Sequence, residues 1–484
     1  MDTREIVLAN LYAAGLNDIL YLPSSDVYSA RVESYWSLAA QLKPWAIVQP
    51  RNAEEVSKAV KAIVATPDVK FAIRSGGHMQ WPGANNIANG ITIDLGLMNS
   101  TTYDPETGIA SLQPGGTWAK SYEELEKQGR MVAGGREGKV GIGGLLTGGG
   151  KTFYTCRIGF ACDQVVNFEL VLADGSIANA NATTNPGLFR ALKGGGNNFG
   201  VVTRFDMTTF SAVDVWDCTI TYSKKATVQL SEAIVDLTKN LAAYPDDHIL
   251  AMWTYLPKTE EHFVTVNMMN LDGVKEARTL WKFLGIPEQM NRVDTTVSIA
   301  KKLTSFVVPS GKYDTWYTTT FRADPQIIQK SASVFESLIS TLKTQVPNSN
   351  FYTQMVLQPL PVSFGAHSTA RGGNMMGLDQ IKDDCVLLVW AVEVDTPELN
   401  ANVAGPALKS AIVEIETYAR SVKGDVGFRY LNYCDKEQDA LGSYGEENVR
   451  HMKEVAGKYD SDGVFQKRVP GGFKISKVGG LSAL

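Results

Sequence analysis

The sequence predicts an α+β fold built from more than one domain, and three observations carry that expectation. The chain has 484 residues, more than one ordinary core accommodates. Before about residue 212, short β-type runs alternate with a helical pattern and with glycine clusters, as in an α+β or α/β unit. Beyond that point glycine thins out, and longer strands interleave with amphipathic helices, the pattern of an antiparallel sheet with helices on one face. The expected organisation is a first domain over 1–212 with its core at about 40–212, a second over 213–425, and a C-terminal segment over 426–484.

Taken in order, Ile47–Pro50 reads as a short strand ending at the proline, and Glu54–Val64 as a helix with Val56, Ala59, Val60 and Ile63 on one face. Phe71–Arg74 is a strand that runs straight into Ser75-Gly76-Gly77-His78, and Ile91–Leu95 is a third strand. Residues 134–150 are extremely glycine-rich. Phe168–Leu172 and Ser176–Ala180 form a hairpin about Asp174-Gly175, since Asp-Gly suits a turn that needs positive φ. Pro186–Lys193 is a helix with proline at its start, and a second glycine loop, Gly194–Gly200, leads into the strand Val201–Phe205. In the second domain, strands are expected at Thr219–Tyr222, His262–Met269, Thr315–Phe321 and Val386–Val394, with helices at Ile327–Leu342 and Val403–Ser421. Glu446–Tyr459 is a helix of the C-terminal segment.

A net charge of −5 argues against a nucleic-acid partner. No apolar run is long enough to cross a bilayer, so no membrane partner is expected. The first residues lack a basic stretch followed by an apolar one, so no signal peptide is predicted. The expected location is cytoplasmic if the numbering is that of the full precursor, and secreted or vesicular if a leader was removed. Five cysteines without a C-x-x-C pair suggest neither a disulfide framework nor a zinc knuckle, and Cys156 and Cys162 read as buried free thiols. Nothing in the sequence specifies an oligomeric state.

Glycine lets backbone N–H groups approach a phosphate closely, so the clusters raise a nucleotide or dinucleotide ligand. Two standard motifs fail. Gly144 stands five residues, not four, before Gly150-Lys151-Thr152, which rules against a P-loop. Gly141-x-Gly143 and Gly194-x-Gly196 end on Leu146 and Phe199 where G-x-G-x-x-G requires glycine. There is no HExxH, the five histidines are scattered, and no G-x-S-x-G elbow is present. Three clusters in one domain, at 75–77, 141–150 and 194–200, favour one extended ligand held by loops; tight turns between strands are the alternative.

Arg74-Ser75-Gly76-Gly77-His78, then Val140-Gly141-Ile142-Gly143-Gly144 with Gly148-Gly149-Gly150, then Gly194–Gly200, resemble the FAD-binding domain of the vanillyl-alcohol oxidase and p-cresol methylhydroxylase superfamily. Tyr430-Leu431-Asn432-Tyr433 with Asp435, Tyr459-Asp460 and Phe465 resembles the berberine-bridge-enzyme-like branch, and 151–205 its fungal members. The resemblance spans roughly 40–212 and 426–484. It implies that the first domain and the C-terminal segment together bind FAD, with the 74–78 turn and the 141–150 loop cradling the pyrophosphate and with Val201 and Asn432 beside the cofactor. The second domain would then cover the isoalloxazine and form the substrate pocket.

His78 matches the histidine that bonds the flavin 8α-methyl; an ordinary loop histidine is the alternative. Many members add a link through a cysteine, but that position is Glu137 here, so a single attachment is implied. Glu137 either faces the flavin or substrate or pairs with Arg136 or Lys139. Val140 matches the position that gates oxygen, and its small side chain suggests an oxidase. Tyr433 matches a tyrosine facing the flavin, either a base, which would need a cationic neighbour, or a structural residue. Glu393 is either a pocket base or a solvated strand-end acid. Trp81, Trp253, Tyr255, Trp316 and Tyr317 are candidates for flat pocket walls or for core. The expected function is oxidation of a small hydrophobic secondary metabolite with O2 as acceptor. The alternative is a flavoprotein whose net reaction is a cyclisation or double-bond isomerisation.

Overall fold

A computed structural model describes residues 2–259, 261–305 and 308–479, with the side chain of Ser305 left out. The helix Ala53–Val64 shows how the first lobe is built. Asn52 caps it by accepting from the Glu55 N–H at 2.9 Å, and Val56, Ala59, Val60 and Ile63 are wholly buried against the sheet beneath. That sheet orders Leu20–Tyr21, Ala46–Val48, Ile91–Asp94 and Phe71–Arg74, the last three mutually parallel.

An antiparallel five-stranded sheet follows, in the order Thr101–Asp104, Ile109–Leu112, Val201–Thr208, Val165–Val171, Ile177–Asn181. Its last two strands are the expected hairpin, with Gly175 at φ 77° in the turn. The longest sheet has seven strands, all antiparallel: Gln289–Val297, Val215–Ser223, Glu261–Asn270, Asp247–Leu256, Tyr352–Leu360, Cys385–Val394 and Tyr313–Arg322. Helices Thr227–Asn240, Pro325–Gln345 and Gly405–Ser421 bury their apolar stripes on one face of it. The other face is left to line a cavity. The fold is therefore α+β, with a glycine-loop lobe and a separate antiparallel-sheet lobe.

The C-terminal segment returns to the first lobe. Arg468 donates to the carbonyls of Ile63, Val64, Thr66 and Val69 at 2.6–2.9 Å, satisfying the open end of the Ala53–Val64 helix. The Phe71 N–H donates to the Arg468 carbonyl at 2.8 Å. Asn198 in the second glycine loop donates to the Phe473 carbonyl at 2.8 Å. All five cysteines are free and buried, and burial pushes the Cys156 thiol up to about 11. Among the described residues no helix is long and apolar enough to cross a membrane.

Candidate active site

A cavity of about 540 Å³ lies between the first glycine loops, the C-terminal segment and the open face of the seven-stranded sheet. Strand alternation decides what faces it. Tyr352, Gln354, Val356 and Gln358 line it from one strand, Val389, Ala391 and Glu393 from the next, and Trp316 from the edge strand. Tyr317 and Trp390, one residue out of phase, turn away and are buried in the core, as are Trp253 and Tyr255. Of the five aromatic wall candidates only Trp316 lines the cavity; Trp81 packs edge-on against Phe473, with ring centroids 5.7 Å apart.

The glycine turn and the glycine loop cross at one point. A Cβ on Gly76 would lie 2.6 Å from the backbone N and Cα of Gly141, and one on Gly141 would lie 2.3 Å from the Gly76 N. Only glycine fits at either position. The Ser75 hydroxyl locks the crossing, donating to the Pro114 carbonyl at 2.5 Å and accepting from the Gly143 N–H at 3.1 Å. Ser75, Gly76, Gly77, His78, Val140, Gly141, Gly143, Gly144, Val201 and Asn432 all border the cavity.

Arg74 and Gly148–Gly150 do not. Arg74 lies behind the turn, donating to the carbonyls of Arg31 and Ser34 and to the Ser34 hydroxyl, with its guanidinium 3.7 Å from the Tyr35 ring centre. It braces the turn from behind. Gly148 packs against the Asn432 side chain, where a Cβ would sit 1.9 Å from Oδ1. The Gly150 and Lys151 N–H groups both donate to the Tyr430 hydroxyl at 2.8 Å. The glycine triplet thus fastens the loop to the C-terminal segment.

His78 is stacked on Trp36, with centroids 4.6 Å apart and planes at 10°, and Trp36 stacks in turn on Trp316. Its Nε2 is buried without a hydrogen-bond partner among the described residues. Burial pushes the imidazole down to about 4, so it is neutral near pH 7 and the Glu137 carboxylate 3.8 Å away is not an ion-pair partner there. Glu137 accepts from the N–H groups of Lys139 at 2.7 Å, Val140 at 2.8 Å and Val308 at 3.3 Å. It is a loop carboxylate held by main chain at the cavity wall, and burial pushes its own pKa up.

The cationic neighbour that Tyr433 would need is Arg136. Its Nη2 donates to the Tyr433 hydroxyl oxygen at 2.8 Å and to Gln358 Oε1 at 2.6 Å, and its Nη1 lies 3.4 Å from His248 Nε2. Gln358 Nε2 lies 3.5 Å from the same tyrosine oxygen. Lys151 also lines the cavity, buried, with Nζ donating to the Pro359 carbonyl at 2.9 Å; burial, and then Arg136, hold it down to about 7. Sequence reasoning missed Trp36, Lys151, Gln358 and this role for Arg136. The only advance signals were a lysine after the glycine triplet and an arginine beside Glu137.

Glu393 stands at the other end of the sheet wall. It lies opposite Asp314 on one neighbouring strand and opposite Tyr352 on the other, so the three share a face. Burial pushes Glu393 up to about 7, opposed by Lys312. Burial and then Glu393 push Asp314 up to about 8, and its Oδ2 has no hydrogen-bond partner among the described residues. Glu393 is therefore a half-buried cavity acid, not a solvated one.

A glycine cradle, an unpartnered buried imidazole and a large cavity under an antiparallel sheet define the class as an FAD-linked oxidoreductase. Residues 44–181 match the family model described as an FAD binding domain. The FAD-dependent monooxygenase drtC of Aspergillus calidoustus is 36% identical over 478 residues, covering 97% of this chain and 90% of that protein. The chain belongs to the same family of FAD-dependent oxidoreductases as this fungal relative. Two solved structures share the fold. Berberine bridge enzyme from Eschscholzia californica matches with a TM-score of 0.74 at 17% identity, covering 96% of this chain and 99% of that one. Glucooligosaccharide oxidase from Acremonium strictum, whose FAD is described as 6-S-cysteinyl, 8α-N1-histidyl, matches with a TM-score of 0.74 at 19% identity, covering 98% and 99%.

Proposed function

We propose that the chain oxidises a small, largely apolar metabolite, using FAD tethered through His78 alone and dioxygen as the electron acceptor. FAD, when bound, supplies a two-electron acceptor. The main chain of Ser75–Gly77 and of Gly141–Gly144 would hold its pyrophosphate, with Val201 and Asn432 beside it. The neutral imidazole of His78, buried without a partner, suits a nitrogen alkylated by the cofactor. Glu137 cannot form the thioether that the glucooligosaccharide oxidase carries in addition to its histidyl link. Val140 borders the cavity, and its small side chain would leave room for oxygen there.

The observation that carries this reading is the environment of Tyr433. Its oxygen accepts from Arg136 at 2.8 Å, so its own hydrogen is left to point elsewhere, and it borders the cavity. An oxygen held by a guanidinium N–H can carry charge while its proton moves, as a base acting on a substrate X–H group requires. Oxygen uptake and peroxide release on addition of a panel of alcohols and phenols test the reaction. Tyr433→Phe is expected to lower kcat about a hundredfold or more with flavin content unchanged. Acid precipitation is expected to leave the yellow colour with the pellet, and His78→Ala to release it. Tyr433→Phe turning over at the full rate sinks the assignment of the base.

The acidic pair supports a second reading. Glu393, which borders the cavity and is held up by burial with Asp314 opposite it, is an acid able to protonate a substrate in a net non-redox cyclisation or isomerisation. Product formed without oxygen, with the cofactor still oxidised, selects this reading over the first.

A further inference from the structure

Arg136 and Lys151 reach one cavity from two different loops and are clamped on consecutive residues of a single strand, Arg136 on the Gln358 side chain and Lys151 on the Pro359 carbonyl. Their acceptors are neutral: an amide oxygen, a phenol oxygen and a main-chain carbonyl, with the His248 ring beside them. Neither cation meets a carboxylate among the described residues. The acids in this part of the molecule are engaged elsewhere, Asp246 with Arg157, Asp247 with Asn270 and Thr279, and Asp217 with Lys302. Of the two acids that line the cavity, Glu137 is taken up by the N–H groups of Lys139, Val140 and Val308, and Glu393 stands level with Tyr352, six residues along the strand from Gln358, or about 20 Å away. Two like charges placed side by side in a poorly solvated wall are costly unless Lys151 gives up its proton or an anion meets them, and a bound anion keeps both charged.

We propose that the cavity takes a substrate bearing an acidic oxygen, a carboxylate or a phenolate, seated between Lys151 and Arg136 beside Tyr433, with its apolar body along Met252, Val356 and Val389. This rests on the cavity being the substrate site and names the substrate class for it. The ammonium of Lys151 also lies over the Phe364 ring, 4.7 Å from its centre, but still has a donor left over after Pro359, and those of Arg136 already converge on Tyr433, so the anion anchors the molecule next to the candidate base. The sheet wall between Gln358 and Gln354 is apolar, with Val356 on the same strand and Met252 and Val389 on its neighbours, which suits an apolar body.

The test reads binding, not turnover, so it stands apart from whether the enzyme is an oxidase. Oxidised holoenzyme at pH 6.5 is titrated with benzoate and with its neutral isostere benzamide, following the visible difference spectrum of the flavin. Benzoate is expected to bind at least about tenfold more tightly. Lys151→Met is expected to erase that preference while changing benzamide affinity less than about twofold, and Lys151→Arg to restore it. Equal affinity for the two probes, or no binding of benzoate, overturns the proposal without any variant being made. Retention of the preference in Lys151→Met, with loss of FAD instead, overturns it in favour of cations that serve the cofactor. Absence of oxygen uptake across the whole panel of alcohols and phenols, together with a preference for benzoate, would sink the oxidase reading and leave this one standing.

Discussion

Replacing Tyr430 by Phe removes one oxygen and strands two buried donors. The Gly150 and Lys151 N–H groups each donate to the Tyr430 hydroxyl at 2.8 Å, and the tyrosine is 1% exposed. Asn432 Nδ2 also donates to it, at 3.0 Å, but keeps the Leu145 carbonyl at 3.1 Å as a second acceptor. An unsatisfied buried N–H costs about 1–3 kcal/mol, so the two together cost about 2–6 kcal/mol. The cost falls on the attachment of the glycine loop to the C-terminal segment rather than on the whole molecule, so it shows as local opening. A loss of about 4 kcal/mol raises the opening constant roughly a thousandfold; water entering the vacated space would bring this toward thirtyfold. Hydrogen exchange of peptides covering residues 148–152 measures it directly, with the Ala53–Val64 helix as an internal control. Unchanged protection at residues 150 and 151 in Tyr430→Phe would mean that the hydroxyl does not hold this loop, and the fastening described above would be wrong.

Three further perturbations have defined outcomes. Gly141→Ala brings a methyl group to within 2.3 Å of the Gly76 N, so the cradle must open; FAD affinity is expected to fall about ten- to a hundredfold while far-ultraviolet circular dichroism stays as in the parent. Arg468→Ala removes the donor from the carbonyls of Val64, Thr66 and Val69 and leaves Ile63 with the Thr66 N–H alone, and a loss of about 2–4 kcal/mol is expected, seen as a lower Tm and faster exchange in the Ala53–Val64 helix. Asp314 and Glu393 have raised folded-state pKa values, about 8 and about 7, so the folded protein holds protons that the unfolded chain has lost. Their stabilising effect is present below the unfolded carboxyl range, near pH 4, and is lost as pH rises through 7 to 8. Asp314→Asn is therefore expected to flatten the decline of Tm between about pH 5 and 8, a slope of at most about 1.4 kcal/mol per pH unit for each group. A decline as steep as the parent's would show that the pair does not titrate as its burial requires. The charged and titratable groups facing this pair are Lys312 and Tyr352.

Much of the frame was legible in the sequence because its signals are local. The helix at 53–64 and the strands at 71–74, 91–94 and 385–394 fall where they were expected, the helix because its buried face recurs at helical spacing and the strands because burial on both faces leaves short, nearly continuous apolar runs. Tyr352–Leu360 and Gln289–Val297 were not singled out. The first carries Gln354 and Gln358 on its cavity face and Pro359 within it, and the second is exposed along nearly its whole length, so neither shows apolar alternation. The same logic governs the site. The glycine turn at 75–77 could be read because steric need leaves a compositional trace, and the crossing of Gly76 with Gly141 is its cause. Arg136 against Tyr433 could not, since the two are 297 residues apart and the contact exists only after the segment folds back. Which glycines face the cavity and which merely clamp a loop was likewise invisible, because both demand the absence of a side chain.

The return of the C-terminal segment also sets a timetable for biogenesis. The ribosome must add about 290 residues after Asn181 before Arg468 exists to close the Ala53–Val64 helix, and about 250 before Tyr430 can fasten the glycine loop. At ordinary elongation rates of roughly 5–20 residues per second, the nascent glycine loops wait on the order of 15–60 seconds without their clamps. The cradle is then completed only after the C-terminal segment has emerged, and nascent-chain quality control meets this lobe while its cradle is still open.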